Sequence, residues 1–438
     1  MAQPPVVHCT DRLWLKPILI QVFQPLYTVI NLFNFHRIVL TSFNRPFKRY
    51  FLKKYALRNR FSIISGQRGV GKTTIIIQYI HSFIQGDIVS KKALYVPVDH
   101  FMVVGHSLYE IAEEFVHYGG QLLCLDEIHK YPNWSRELKS IYDSFPDLKL
   151  IVSGSSALQI HKGSHDLSRR AVVYQMTGLS LREFIELKYH IELPILDLDS
   201  ILTDHESVSL EITGKLDFVQ LKILPVFKAY MRHGYFPYFL EHPDEDTYLR
   251  TLEQGLHTTI ESDLLSIYPL LAGVSIKKLK MLLAAIARSA PFTPDMKRLK
   301  KIIEVGDERT LKAYLNYLED GKAITCLSKQ NKSIRGLEKP EKIYLNNPNQ
   351  ALAICDIEKV NEGTIRELFF TCMLKQGHTI AIPPKGDFIV DGKNLFEIGG
   401  KGKTFKQIRD IPDSYLAVDN IEQGMKARIP LWLFGFLY

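Results

Sequence analysis

From Phe61 onward, short apolar runs alternate with stretches of helical length. Phe61–Ser65 (FSIIS), Ala93–Val98 (ALYVPV), Gln121–Leu125 (QLLCL) and Leu148–Val152 (LKLIV) have the length and composition of buried strands. Between them, Lys72–Gln85, His106–Tyr118 and Trp134–Phe145 are long enough for helices, the first closed by Gly86. Repeated strand–helix units of this size predict an α/β domain with a parallel sheet covered on both faces. Ligands of such sheets sit at the carboxyl ends of the strands. Three polar segments fall there: Gly66–Thr74, Asp126-Glu127 and Ser153-Gly154-Ser155-Ser156.

The first of these, Gly66-Gln67-Arg68-Gly69-Val70-Gly71-Lys72-Thr73-Thr74, has the spacing G-x-x-x-x-G-K-T of a phosphate-binding P-loop. Gly66, Gly69 and Gly71 permit φ > 0 and leave no Cβ in the way of a phosphate. Loop amides and a helix N-terminus then face an anion. Lys72 adds a charge for the β- and γ-phosphates, and Thr73 a hydroxyl for Mg²⁺.

Asp126 follows four apolar residues, so a buried strand delivers a carboxylate to the Mg²⁺ shell. Glu127 is placed to polarise an attacking water. Ser153 or Ser155 is a candidate sensor of the γ-phosphate, or a serine capping the next helix. No segment resembling N-K-x-D selects guanine, so ATP is the expected nucleotide.

The 438 residues are too many for one core and imply two to four domains. The formal charge of +8 is concentrated at one end, because residues 1–60 hold ten Lys/Arg and one acid. The remaining 378 residues therefore sum to about −1, and a general polyanion-binding surface is not implied. Five cysteines without a CxxC pair suggest a reducing, cytoplasmic compartment and no zinc site of the usual spacing. Pro17–Phe35 carries no charge but includes Gln21, Gln24, Pro25, Asn31 and Asn34, which are costly at bilayer depth. A helix packed on the protein or a loosely ordered extension is expected there rather than a membrane contact, and no cleavage site marks a signal peptide. Arg45–Arg60 reads as a helix with a solvated basic face leading into the first strand, in preference to a nucleic-acid contact.

LLCLDEIHKYPNW (122–134), KLIVSGSSAL (149–158), LSRR (167–170) and LSLREF (179–184) resemble the AAA-type ATPases of bacteria and archaea. Those proteins carry a C-terminal domain of unknown function related to PD-(D/E)xK nucleases, and the resemblance covers about residues 45–438. It implies an AAA+ or STAND-like core in which Arg169 or Arg170 lies near the phosphates, in cis or across a subunit contact of a homo-oligomer. On their own, the two arginines are equally readable as a structural salt bridge.

The chain divides into an N-terminal arm (1–50), the P-loop core (51–185), a helical lid (186–275), a third module (276–350) and a C-terminal domain (351–438). In the lid, Gly234-Tyr235-Phe236-Pro237 resembles the G-x-P element of STAND ATPases, where a lid helix approaches the nucleotide. A plain turn gives the same letters. The third module has the order of a winged helix: helices at 277–289, 295–305 and 307–318, then a hairpin of 323–329 and 342–346. Its wing would carry Lys329, Lys332, Arg335 and Lys339, but its third helix is about neutral, unlike a DNA-reading helix. DNA binding and a packing role both remain open.

The C-terminal domain offers Glu367 in a helical run, Asp387 opening DFIV, and Glu397 before Lys401. Two carboxylates on neighbouring strands beside a lysine suit a metal site that activates water. The spacing is E-x-x-x-K rather than E-x-K, however. In a regular strand it separates Glu397 and Lys401 by about 13 Å instead of about 7 Å, unless Gly399-Gly400 forms a bulge. Cleavage and a salt-bridged binding remnant therefore both stand as readings. The last residues, IPLWLFGFLY, are expected to enter the core as a strand.

Overall fold

A computed structural model describes residues 16–42, 45–155, 167–242, 244–269, 271, 273–288, 293–329, 339–355 and 361–438. Residues 1–15 and the expected site residues Ser156, Lys332 and Arg335 lie outside the described residues.

Four strands form where the apolar runs predict them: β1 (Phe61–Gly66), β2 (Ala93–Pro97), β3 (Leu122–Asp126) and β4 (Lys149–Gly154). A fifth, β5 (Val172–Met176), was not foreseen. All pair in parallel in the order β2-β3-β4-β1-β5. β5 escapes hydropathy because it is an edge strand, with Val172 43% and Val173 40% exposed. Helix α1 (Lys16–Ser42) precedes the short α2 (Tyr50–Lys54), and α3 (Lys72–Phe83), α4 (Leu108–His117) and α5 (Trp134–Ser144) connect the strands. On one sheet face Val29, Leu32 and Phe33 of α1 join Phe115 of α4 and Leu138 and Ile141 of α5 in a core with Leu94, Leu123 and Val152. On the other, Ile75, Ile76, Ile77 and Ile80 of α3 open a second core.

That second core does not stop at the parallel sheet. It runs through helix Leu181–Tyr189, which straddles the expected core–lid boundary at residue 185, and through Leu198–Phe218, Ile223–His233 and Glu245–Thr258 of the expected lid to the third module and the C-terminal domain. The third module has helices Gly273–Ala287, Met296–Ile302 and Glu308–Asp320, then an antiparallel hairpin of β6 (Ile324–Leu327) and β7 (Lys342–Leu345). The C-terminal domain sets helix Glu362–Leu374 on a sheet ordered β12-β11-β10-β9-β8. Here β8 (Ile380–Ala381), β9 (Phe388–Val390) and β10 (Asn394–Gly399) are antiparallel, while β11 (Ser414–Val418) and β12 (Arg428–Pro430) run parallel to β10. The chain end corrects an expectation. Only Arg428–Pro430 is strand, and Leu431–Phe436 coils into a 3₁₀ turn. A strand would give Gly435 a fixed partner strand, whereas here a Cβ on Gly435 would lie 2.5 Å from Leu181 Cβ, so the turn presses backbone against the lid.

The uncharged N-terminal stretch lies within α1, and Val29, Leu32 and Phe33 of that helix pack on the sheet. No helix among the described residues is long and apolar enough to cross a membrane. α1 also closes a sheet edge: fully buried His36 accepts the Tyr95 N–H of edge strand β2 on Nδ1 at 3.0 Å. Burial, then the charges of Arg37 and His81, lower the His36 pKa from 6.5 to about 4, so the ring is neutral and can accept. A depressed histidine pKa means the unfolded chain binds the extra proton. The stability it contributes is therefore complete above pH 6.5 and is lost as pH falls toward about 4. Calorimetric unfolding should show a midpoint that drops between pH 7 and pH 5, and a His36→Gln chain should show a flatter dependence over that interval.

Candidate nucleotide-binding site

The P-loop occupies the turn between β1 and α3. Gly69 and Gly71 have φ of 82° and 98°, the left-handed region that glycine reaches without strain. Gly66 does not share it. As the last residue of β1 it needs to be glycine for another reason, since a Cβ would meet the Met176 carbonyl of β5 at 2.5 Å. Gly71 caps α3, so the first-turn amides of Lys72, Thr73 and Thr74 point into the site. Lys72 Nζ donates to the carbonyls of Gly66 at 3.1 Å and Gln67 at 3.0 Å and stands 3.8 Å from Glu127 Oε1.

The end of β3 supplies the acids. Asp126 Oδ2 accepts from Thr73 Oγ1 at 2.6 Å and from the Tyr95 hydroxyl at 2.8 Å, and Oδ1 accepts from Ser153 Oγ. Burial, reinforced by the Asp126 charge, raises the Tyr95 phenol pKa, so it stays a donor. Glu127 follows with φ of 57°, a left-handed conformation costly for a residue with a side chain and concentrated at functional sites. Its N–H donates to Ser153 Oγ at 3.2 Å. Thr73 and Asp126, a hydroxyl and a carboxylate in contact, are an oxygen donor pair suited to Mg²⁺.

These groups open onto a cavity of about 360 Å³ lined by Gly69, Gly71, Lys72, Thr73, Glu127 and Tyr238, among others. Arg45, Arg49, Arg68 and Lys130 also line it, against the acids Glu127 and Glu241, a balance that favours an anion. The lid closes its roof. A Cβ on Gly69 would lie 2.6 Å from the Tyr238 ring, and one on Gly71 would lie 3.7 Å from Pro237. The Gly234–Pro237 turn thus does lie at the phosphate loop, and the residue after it makes the contact.

Other expected residues fall elsewhere. Ser153, rather than Ser155, touches Asp126; the Ser155 N–H donates to His129 Nδ1 at 3.3 Å and its carbonyl accepts from Ser65 Oγ at 3.1 Å. Arg170 forks onto Asp143 of α5 at 2.8 and 2.9 Å, and Arg169 is exposed; neither lines the cavity of its own chain. In the C-terminal domain, Lys401 does not reach Glu397. The chain folds back at Gly399, where a Cβ would strike Lys403 at 2.6 Å, and Lys403 Nζ meets the buried Glu397 Oε1 at 2.8 Å. Glu367 takes the Tyr344 hydroxyl at 2.5 Å, and burial is the main cause raising its pKa. Asp387 Oδ2 is engaged by the Ile398 N–H at 2.7 Å. Among the described residues no group of three or more His, Cys, Asp or Glu could hold a metal ion.

Three features had no sequence signal strong enough to find them. Arg49, read as part of a solvated basic face, is buried: it donates to Glu183 at 2.9 Å, to the P-loop carbonyl of Val70 at 2.8 Å, and to Thr177 and Gly178 carbonyls at 3.0 and 2.8 Å. Gln67 leaves the P-loop to donate to the Lys322 carbonyl at 2.8 Å and to accept from Asn346 at 3.3 Å. Asp263 of the lid stands 3.8 Å from Arg68. For Arg49 a partial signal existed, since S-x-x-E at Ser180–Glu183 marks a capping box that places Glu183 at a helix start.

The sequence family described as an AAA domain matches residues 58–185, and a domain of unknown function (DUF8612) matches residues 225–359. Residues 58–185 are an AAA-type P-loop ATPase domain. The AAA domain therefore spans α3 and the whole five-stranded sheet, and the second match begins in the lid and ends after the hairpin. No curated protein matches the sequence. Among solved structures, the Walker-type ATPase paby2304 of Pyrococcus abyssi is 14% identical, over 71% of this chain and 95% of that one, with a TM-score of 0.37. AMPPCP-bound DnaA from Aquifex aeolicus is also 14% identical, over 62% and 86%, with a TM-score of 0.23. The S. cerevisiae Hsp104–ADP complex is 17% identical, over 62% and 38%, with a TM-score of 0.26. These scores are too low to carry detail, and the site rests on the AAA match and on its own geometry.

The Arg49–Glu183 pair is buried, so removing one partner strands a buried charge. Burial alone would raise the Glu183 pKa; the Arg49 charge and hydrogen bond, with Arg182 and the Tyr50 amide, outweigh it and lower it. Arg49→Leu should cost about 3–5 kcal/mol in denaturant unfolding, and the Arg49→Leu/Glu183→Gln chain should lose less than that single variant.

Proposed function

We propose that the chain binds ATP with Mg²⁺ and hydrolyses it, and that nucleotide state shifts the lid and with it the C-terminal modules. The observation that carries this is the convergence of Lys72, Thr73 and Glu127 on one cationic cavity roofed by the lid, with Asp126 hydrogen-bonded to Thr73 just behind its wall. Lys72 and the amides at the start of α3 bind the phosphates. Thr73 and Asp126 hold the Mg²⁺, which when bound draws charge from the phosphate oxygens. Glu127 accepts the proton of the attacking water, its carboxylate aimed by the left-handed turn at the end of β3. Tyr238 and Pro237 exclude bulk water from above, and the Gln67 contacts to Lys322 and Asn346 link the phosphate loop to the hairpin. Order in one element then follows order in the other.

Lys72→Ala should lose nucleotide affinity by at least about 10-fold, whereas Glu127→Gln should keep it and lose about 10²–10⁴ in turnover. Isothermal titration with ATP and Mg²⁺, paired with phosphate release, separates the two. Variants that bind and hydrolyse like the parent would overturn the assignment.

A second reading, contact with nucleic acid, is favoured by one observation. Residues 273–312 carry ten Lys/Arg and four Asp/Glu, in a chain whose charge beyond residue 60 is otherwise about −7. Only two of these cations, Arg309 and Lys312, are on the third helix, where a winged helix would read bases; Lys297, Arg298 and Lys301 project exposed from helix Met296–Ile302. Such a face suits phosphate backbone contact without base readout. Binding to duplex DNA, followed by fluorescence anisotropy, should weaken steeply with salt. The Lys297→Ala/Arg298→Ala/Lys301→Ala chain should lose affinity and about 0.9 in salt slope for each phosphate contact removed. Salt-independent binding, or none, would remove this reading.

A further inference from the structure

His129 and Asp263 form a buried pair beside the ATPase acids that the proposed reaction does not yet use. His129 sits in the 3₁₀ turn Ile128–Lys130 after Glu127, with a side chain 1% exposed. Asp263 comes from the lid, at the end of the π-helical turn Thr259–Asp263, with a side chain 5% exposed. π turns are rare and concentrate at functional sites because the extra residue re-aims a side chain.

The hydrogen-bonding arithmetic is unbalanced. His129 Nδ1 accepts the Ser155 N–H at 3.3 Å, so in the neutral ring the hydrogen is on Nε2. That single donor faces two carboxylates, Asp263 Oδ1 at 3.5 Å and Glu127 Oε2 at 3.7 Å. It is hydrogen-bonded to neither, and Nε2 and Asp263 Oδ1 have no hydrogen-bond partner among the described residues. Buried polar atoms left in this state carry a desolvation penalty that a small shift would relieve. Arg68 of the P-loop, 3.8 Å from Asp263 Oδ1, gives the aspartate a further tie to the phosphate end of the site. The π turn follows helix Glu245–Thr258, whose Thr251, Leu252 and Gly255 line a cavity of about 210 Å³ against Gln67, Gly69 and Tyr238. Tyr238 also packs on Tyr248 of that helix, ring centroids 5.4 Å apart, so the helix joins the Tyr238 contact with the loop to Asp263.

We propose that Asp263 is a lid-borne positioning residue for ATP turnover, acting through His129. Glu127 and Asp263 compete for one N–H. When the lid is seated, Asp263 takes it, and Glu127 is released from His129 to orient water. When the lid is lifted, the N–H turns to Glu127 and holds it off the water. This rests on the ATPase reading of the site and adds a way for the lid to gate the chemistry rather than the binding.

The test is a double-mutant cycle on the full chain, reading kcat for ATP with Mg²⁺ alongside equilibrium affinity for a non-hydrolysable ATP analogue. Asp263→Asn, which keeps the shape, should lower kcat about tenfold with affinity within about twofold, and Asp263→Glu should restore part of the loss. In a His129→Ala background, or His129→Gln if that chain melts early, the same Asp263→Asn change should alter kcat less than about twofold. An equal loss in both backgrounds would show that Asp263 acts without His129. An Asp263→Asn chain with parental kcat, or one whose loss is all in affinity, would also overturn the inference. A parent chain that does not turn over ATP overturns the reading of the site itself, a different failure with a different signature.

Discussion

The site depends on one buried guanidinium. Arg49 ties together three backbone segments beyond the strand ends: the P-loop at Val70, the turn after β5 at Thr177 and Gly178, and through Glu183 the helix Leu181–Tyr189. A loop rich in glycine has little intrinsic preference for the nest-like shape that faces its amides toward an anion. Here that shape is held from behind by a five-donor planar group that a lysine could not replace. The buried carboxylate that neutralises it also caps that helix, so loop geometry and lid attachment are parts of one network.

From that clasp outward, the molecule is built to make nucleotide occupancy felt far away. The phosphate loop touches the lid at Tyr238 and Asp263 and the third module at Lys322 and Asn346. The C-terminal domain then closes back on the start of the lid, where the Tyr438 carbonyl accepts from Ser180 Oγ at 2.6 Å and Arg182 Nε at 3.0 Å. One continuous hydrophobic core underlies all of this. A displacement at the loop is therefore carried by packed side chains rather than absorbed by a linker.

The legible part of this design was the local part. Strands β1 to β4 are apolar runs bounded by turn residues, and the P-loop is a spacing, so both survive in one dimension. β5 was invisible because an edge strand is half wet and its pattern breaks. The roles of Arg49, His129 and Asp263 were invisible for a different reason. Each is a charged or polar residue whose burial is created by partners far away in the chain, 21 residues for Arg49 and Val70, 134 for Arg49 and Glu183 and 195 for Asp263 and Arg68. Lys403 shows the same limit at short range: the sequence offered Lys401, and only the fold-back at Gly399 decides which lysine meets Glu397. Arg170 looked available to a phosphate until Asp143 of α5 claimed it.

The central claim is that a polyphosphate bound at the loop and the closure of the lid are one event. Hydrogen–deuterium exchange of the full chain with and without ATP and Mg²⁺ measures that directly. The account predicts slowed exchange at residues 66–74 and, in the same titration and with the same midpoint, at residues 236–263. Protection of the loop with the lid segment unchanged, or of neither, would contradict it.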